Sequence, residues 1–520
     1  MPKLPRNLIW VAIMVVFFCL FNYFNFFSPP LFNSPDEMAH AAFIARFAES
    51  NSLTIPSAAD FGPWAKFVFP RSTYSTGQEI LPVGFWGLNV SYGLMAKVLG
   101  TGVVYFTSVL VLISAWCFRA LIQSIFKDRQ IADWSLVFYL AQPVVWYYTA
   151  RSLFPNLPFF SLLMIGSYLL WLRPLSRRWL NDLLGGGLIG WALLIRPSEA
   201  IWVGLIFVWV LLLSQPRLSW SRLAWWMISL LPFLVGYLMV TRSLYSGIIS
   251  YAATDSWALS HWWDWIFPFG IKPWAVIDNV FYYFICLFFW LSLPALIGVF
   301  SSWFTFNPEQ RKKERGYVLF FLILAAFLFV FYGSYVDQRA FLRSIGISYT
   351  RYWLPLYVLI IPWTILGWRK MSHWWGSHQF QTTLWLGGLI LMLILNAGIV
   401  FLGADGLNAT LRNLKHGAEV RTDLATWAPA QTIVVTETED KFFWPHFPVM
   451  KNVLDPDIGQ AIRGLKESGW TMFFFTPLLH NGQVKILNAR FAVFGLELVP
   501  RRIYYPHVLY EFRLLPDSGN

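Results

Sequence analysis

Near the N-terminus the run Ser34-Pro35-Asp36-Glu37-Met38-Ala39-His40 combines side chains that do proton chemistry. Asp36 and His40 are one helical turn apart and share a face. A carboxylate and an imidazole so placed could serve acid–base work. The same run also reads as the start of a helix. Ser34 suits an N-cap, Pro35 suits the first turn, and Glu37 completes a capping box. Acidic side chains there also favour the helix dipole. That account covers Ser34, Pro35 and Glu37 well and Asp36 in part, and it leaves His40 unexplained. Capping and catalysis both remain open at this motif.

Other charged residues fall at or near apolar segments, where polar groups are costly and need a reason. They are Lys66, Arg71, Glu79, Arg151, Arg196, Glu199, Arg242, Asp255, His261, Asp264, Lys272, Arg339, Arg343 and Arg351. An anionic ligand would account for the basic ones. Snorkelling to lipid headgroups is the competing explanation for any single one.

The elements that position these residues belong to a membrane protein. The chain of 520 residues is 57% hydrophobic and 13% charged, with a mean hydropathy of +0.52. A soluble domain carries about 25% charged residues. Aromatic residues make up 19%, including 30 Trp and 48 Phe, and Trp and Tyr collect at membrane interfaces. The net charge of +12 lies mostly in short loops between apolar runs, which argues against nucleic acid. Cys19, Cys117 and Cys286 all sit inside apolar runs, with neither a disulfide framework nor metal-ligand spacing. No cofactor is expected, and a divalent metal stays open. The first apolar run, 8–27, follows Lys3 and Arg6 and ends in Ser28-Pro29-Pro30 without a small-residue cleavage site. It reads as a retained span, not a signal peptide.

Candidate spans are roughly 8–27, 102–122, 133–150, 155–172, 180–196, 198–214, 223–241, 276–304, 317–334, 352–368 and 382–402. With the N-terminus in the cytoplasm, the inner segments carry Lys3 and Arg6; Lys127 and Arg129; Arg173, Arg177 and Arg178; Arg217 and Arg222; Arg311, Lys312, Lys313 and Arg315; Arg369 and Lys370. This is the positive-inside pattern. It requires 82–99 to be a helix lying on the outer surface. The reading gives eleven spans and an outer C-terminus, with outer pieces at 28–100, 242–275 and 403–520.

The tail is more charged and has period-2 runs. Thr432–Thr436 reads as a strand, Asp457–Ser468 as a helix with Ile458, Ala461, Ile462 and Leu465 on one face, and Met472–Phe475 as a buried strand. Gly469 ends the helix. The expected fold is mainly α: a polytopic transmembrane helical domain over 1–402, its outer first loop 28–100 carrying surface helices, and a small extracytoplasmic α/β domain over 403–520. There is no glycine-rich phosphate loop and no internal repeat.

The run SPDEMAHAAFIARF resembles the first outer loop of the GT-C membrane glycosyltransferases. The layout is similar to the protein O-mannosyltransferases and the lipid A aminoarabinose transferases. It is closer to predicted multi-pass GT-C-like proteins whose first loop reads Ser-Pro-Asp-Glu-x-x-His. The segment Arg71–Leu99, with Ile80-Leu81-Pro82 and Phe85-Trp86, is similar to the surface helix after that loop. Ala150-Arg151 to Pro155-Asn156, Leu194 to Pro197, and Arg351-Tyr352 to Pro355 resemble later loop signatures. Many relatives carry an acidic residue where this chain has Pro155-Asn156.

The resemblance implies transfer of a sugar from a polyprenyl-phosphate carrier to a glycan, lipid or protein acceptor at the outer face, usually with inversion. Asp36 would be the general base, within a catalytic group of Asp36, Glu37 and His40. Arg343 and Arg351, then Lys66 and Arg71, would hold the donor phosphate. Asp255, His261 and Asp264 would contact acceptor or sugar, with a solvated loop as the plainer account. Trp257, Trp262, Trp263 and Trp265 nearby suit stacking on sugar or, better, the membrane interface.

Two readings from other classes compete. A transporter of a lipid-linked or anionic substrate would show two related halves and a mid-membrane site. A non-catalytic scaffold binding a surface glycan would turn Asp36 into its helix cap, away from any cavity. The expected location is the cell membrane, multi-pass, with the tail extracytoplasmic.

Overall fold

The computed structural model describes residues 6–27, 32–205, 219–245, 267, 269–303, 308–336, 344–346, 348–374, 378–451 and 455–516. The chain divides into two compact units. One is Met1–Phe27 with Val104–Ala409; the other is Ser28–Val103 with Thr410–Asn520.

The first unit is helical. Among the described residues, four helical stretches contain an apolar window long enough to cross a membrane: Trp86–Phe126, Trp220–Tyr245, Gln310–Gly333 and Phe380–Trp427. Two bent pairs, Arg178–Ile195 with Pro197–Leu205 and Pro273–Cys286 with Phe289–Ser302, raise the count to six if each pair is one span. Leu8–Phe21 and Asn156–Leu172 are shorter apolar helices. The protein is a multi-pass membrane protein.

The eleven segments read from sequence are not eleven continuous helices. The segment 133–150 breaks into Arg129–Ala141 and Pro143–Ala150. The segment 352–368 breaks among Ser348–Tyr352, Leu354–Leu359 and Ile361–His373. Pro143, Pro355 and Pro362 each stand at N1 or N2 of the helix that follows the break, where a missing N–H costs nothing. Much of 198–214 lies outside the described residues. Helices pack closely where glycine allows it: a Cβ on Gly298 would overlap Trp363 O, and one on Gly367 would overlap Pro294 O.

The second unit holds both sheets. β1 (Ile55–Pro56), β2 (Thr73–Ser75) and β3 (Glu79–Pro82) form an antiparallel sheet in the order β1-β3-β2. The segment 71–82 is therefore a strand hairpin, and the helix that follows begins only at Trp86 and runs to Leu99. The larger sheet has the order β5-β4-β6-β8-β7, with β4 Thr432–Val435, β5 Val449–Met450, β6 Thr471–Pro477, β7 Leu496–Tyr504 and β8 His507–Leu514. β4 pairs parallel with β5 and β6, while β8 pairs antiparallel with β6 and β7.

The expected strand–helix–strand unit is present as β4, the helix Ile458–Glu467 and β6. Gly469 follows at φ +93°, a left-handed conformation suited to glycine. Alternation sorts the strand side chains between two cores. Ile433, Val435, Met472 and Phe474 face the cluster built with Ile458, Ala461, Ile462 and Leu465. Val434, Phe473 and Phe475 face a second cluster with Val420, Leu424 and Phe443.

The first loop supplies residues to both cores. Phe61, Ala65 and Val68 sit in the first cluster and Met38 in the second. The loop, which the sequence reading grouped with the membrane part, thus forms one compact unit with the tail. Burial of its apolar side chains against the larger sheet is the reason.

Candidate active site

In the helical unit, three arginines come from three helix breaks. Gln142 ends one helix and caps the next, its Oε1 accepting from Val144 N at 2.6 Å and Val145 N at 3.1 Å. The short helix Pro143–Ala150 then ends at Arg151. Arg196 lies between Arg178–Ile195 and Pro197–Glu199. Arg351 lies in Ser348–Tyr352, ahead of Pro355. Each break puts a cation where the backbone leaves its helical path.

Aromatic rings join the three. The guanidiniums of Arg151 and Arg351 face the Phe154 ring, 4.8 and 5.0 Å from its centroid. Those of Arg351 and Arg196 face the Tyr352 ring, at 5.4 and 5.9 Å. Tyr332 stacks on Tyr352 at 4.5 Å and 9°. Asn156 Nδ2 donates to the backbone oxygen of Arg351 at 3.1 Å. The loop signatures around Arg151, Arg196 and Arg351 therefore meet in one place.

One carboxylate sits deep in this cluster. Glu199 is 3% exposed. Its Oε1 accepts from Arg196 at 2.6 Å and from Tyr332 Oη at 2.5 Å, and its Oε2 accepts from Trp202 Nε1. Arg151 and Arg196 are buried too. Arg151 donates to Tyr147 Oη at 3.0 Å, and Tyr147 donates to the backbone oxygen of Asp405, also at 3.0 Å. Asp405 Oδ1 is buried and accepts no hydrogen bond from the described residues. Its carboxylate packs on Gly346, where a Cβ would overlap it. Buried cations attract anions strongly because little water screens them. An Arg fork matches phosphate geometry. Three guanidiniums bridged by two rings, with one carboxylate bonded into them, are suited to receive a phosphate.

The second unit holds the acidic motif. Ser34 caps the helix Pro35–Ser50, accepting from Asp36 N, while Glu37 Oε2 accepts from Ser34 N at 3.1 Å. Glu37 is 2% exposed, so its side chain serves the cap. His40 Nδ1 lies 2.7 Å from Asn89 Oδ1, so with Asn89 presenting its carbonyl the proton is on Nδ1. Asp36 is half-buried, and its Oδ1 accepts from Ser72 Oγ at 2.6 Å. The capping box uses Ser34 and Glu37; Asp36, which capping explained in part, bonds Ser72, and His40, which it left unexplained, bonds Asn89.

The remaining expected residues separate. Arg71 pairs with the buried Asp440 at 2.7 Å. Lys66 is exposed, its Nζ 5.0 Å from the Phe67 ring centroid. Arg343, Asp255, His261 and Asp264 lie outside the described residues. Arg151 and Arg196 stood out by sequence as misplaced charges but were not put in the donor site; their shared setting ahead of a proline was the available signal. Asp440 and Asp405 gave no signal at all.

The second unit also contains a titratable cluster. Lys441 Nζ lies 3.4 Å from Glu439 Oε2, and His416 Nε2 lies 3.2 Å from His507 Nδ1. Burial pushes His507 below its ordinary value, with Glu439 opposing. Burial also pushes Lys441 down. For Glu439, burial works upward, and Lys441 with His507 outweigh it, leaving the carboxyl below its usual range.

No protein-family model and no curated protein matches the chain. Solved structures do. The crystal structure of ArnT from Cupriavidus metallidurans in the apo state is similar with a TM-score of 0.58, at 12% identity over 97% of each chain. The crystal structure of ArnT from Cupriavidus metallidurans bound to undecaprenyl phosphate has a TM-score of 0.55, at 10% identity over 97% of each chain. The helical unit with its broken spans, and the strand-bearing second unit, thus share the fold of these ArnT structures.

Proposed function

We propose that the chain is a membrane glycosyltransferase that moves a sugar from a polyprenyl-phosphate carrier to a glycan, lipid or protein acceptor at the outer membrane face. The observation that carries this reading is the cluster of Arg151, Arg196 and Arg351 around Phe154 and Tyr352. The likeness in fold to ArnT, which has been crystallised bound to undecaprenyl phosphate, supports it.

In this reading the acceptor oxygen forms a bond to the anomeric carbon as the bond from that carbon to the phosphate oxygen breaks. The phosphate leaves with the bonding electrons, and the arginines stabilise the charge that develops on it. The acceptor hydroxyl gives its proton to Asp36. Arg351 keeps the role expected from sequence, and Arg151 and Arg196 join it. Arg71 is left out, because Asp440 engages its guanidinium. Glu37 holds the first turn of the helix that carries Asp36. The reading needs no cofactor, and it puts the tail on the extracytoplasmic side.

Incubating the purified protein with a panel of polyprenyl-phosphate sugars, and following sugar release or transfer, tests the reading. Asp36→Asn should lower turnover by about two to four orders of magnitude, the usual scale of general-base help. Glu37→Gln should act mildly, because a glutamine still closes the capping box. Should Asp36→Asn transfer sugar normally while Glu37→Gln unfolds the loop, the motif is a helix cap only.

A further inference from the structure

Asp36 is held by a turn that the C-terminal segment itself holds. Its Oδ1 accepts from Ser72 Oγ at 2.6 Å. Ser72 sits at φ +59°, a region that residues with a Cβ visit rarely. On one side of it, Arg71 is clamped: Asp440 Oδ2 accepts from Arg71 N at 2.7 Å, and Asp440 Oδ1 accepts from Arg71 Nε at 2.8 Å. The Arg71 guanidinium donates as well to Thr438 O. On the other side, Thr73 Oγ1 donates to Pro70 O at 2.7 Å, and Thr73 pairs with Pro82 in the hairpin.

Asp440 has only 1% of its side chain exposed. Both of its oxygens are therefore spent on one residue, with little water to compete for them. The last torsion of an aspartate is broad and roughly two-fold. A carboxylate without a fixed partner turns freely; one that accepts a short bond from a fixed hydroxyl does not.

We propose that Asp440 and Ser72 are positioning residues: Asp440 fixes the Arg71–Ser72 turn, and the Ser72 hydroxyl then fixes the Asp36 carboxylate. The C-terminal segment thereby has a task in the reaction, which is to aim the base. The inference rests on the reading of Asp36 as the base. It makes Arg71 a strut of this turn.

The test is steady-state kinetics on the full-length protein with a polyprenyl-phosphate sugar that it turns over. The variants are Ser72→Gly, Asp440→Asn, their double variant, and Asp36→Asn. Glycine adopts φ +59° freely and lacks the hydroxyl, so Ser72→Gly removes the bond and spares the turn. Each single variant should lower kcat about 10- to 100-fold, the scale of a misaligned catalytic group, and leave the donor KM unchanged. The double variant should fall no further than the worse single, because both act through one contact. If Asp440→Asn fails to fold, Ser72→Gly decides alone. Normal kcat in Ser72→Gly beside an inactive Asp36→Asn overturns the inference and spares the base. Losses that multiply in the double variant also overturn it. Normal kcat in Asp36→Asn removes the base reading itself, and the inference with it.

Discussion

Arg151 and Arg351 lie far apart in the sequence, yet their guanidiniums sit 4.8 and 5.0 Å from the centroid of one ring, that of Phe154. A ring face attracts a cation, and more so where water is scarce. Phe154 thus lets two like charges share a small volume before any phosphate arrives.

Replacing Phe154 by leucine keeps an apolar side chain and removes the ring face. Two partly desolvated cation–π contacts are worth about 1–4 kcal/mol together. We expect the affinity for undecaprenyl phosphate to fall about tenfold or more, as read by titration of the purified protein. An unchanged affinity would mean that the ring does not order the arginines.

Glu199 makes the second prediction. Glu199→Gln leaves Arg196 buried without its carboxylate, a change that costs about 3–5 kcal/mol in other buried pairs. The melting temperature should drop. Added undecaprenyl phosphate should restore more of it in Glu199→Gln than in the parent protein, because the ligand supplies the missing negative charge. Equal shifts in the two proteins would separate Arg196 from the phosphate site.

The third prediction concerns Gly346 and Asp405. A Cβ on Gly346 would overlap the Asp405 carboxylate. Gly346→Ala should therefore destabilise by about 1–3 kcal/mol, as overpacking does. Asp405→Ala in the same chain makes room and should recover part of the loss. Thermal unfolding of the two single variants and the double variant checks this; additive losses would contradict the close contact.

The fourth is a pH dependence. Burial holds His507 below its ordinary value. The unfolded chain then binds this proton at higher pH than the folded one does. His507 thus favours folding above its unfolded value of about 6.5, and that contribution is lost as pH falls through the lower folded value. His446 is pushed the same way by burial and by Arg421. Thermal stability should decline from neutral pH toward pH 5 (roughly the histidine window), and His507→Gln should flatten part of the decline. A profile identical to the parent's would remove His507 from the account.

What could be read from the sequence was local. The capping box at Ser34 and Glu37 follows from residue types three apart. The helix Ile458–Glu467 follows from apolar spacing, and Gly469 marks its end. The three loop signatures were visible as separate pieces, but no periodicity says that Phe154 and Tyr352 bring Arg151, Arg196 and Arg351 together. The union of the first loop with the tail was hidden for the same reason. The bond from Arg71 to Asp440 joins residues 369 positions apart, and Asp440 looks like any other surface acid in the run Glu437–Lys441. The broken spans were hidden too, since hydropathy averages over Pro143 and Pro362 and does not see where a helix stops.

The central claim is that the arginine cluster holds a polyprenyl phosphate. The direct measurement is the binding of undecaprenyl phosphate to the purified protein and to Arg151→Ala, Arg351→Ala and Lys313→Ala. Charge-assisted hydrogen bonds are worth about 1.5–3 kcal/mol each. Each arginine variant should therefore bind about 10- to 100-fold more weakly, while Lys313→Ala, which removes an exposed cation, binds as the parent does. Equal weakening by all three would show general attraction of a basic protein for an anionic lipid, and would contradict a built site.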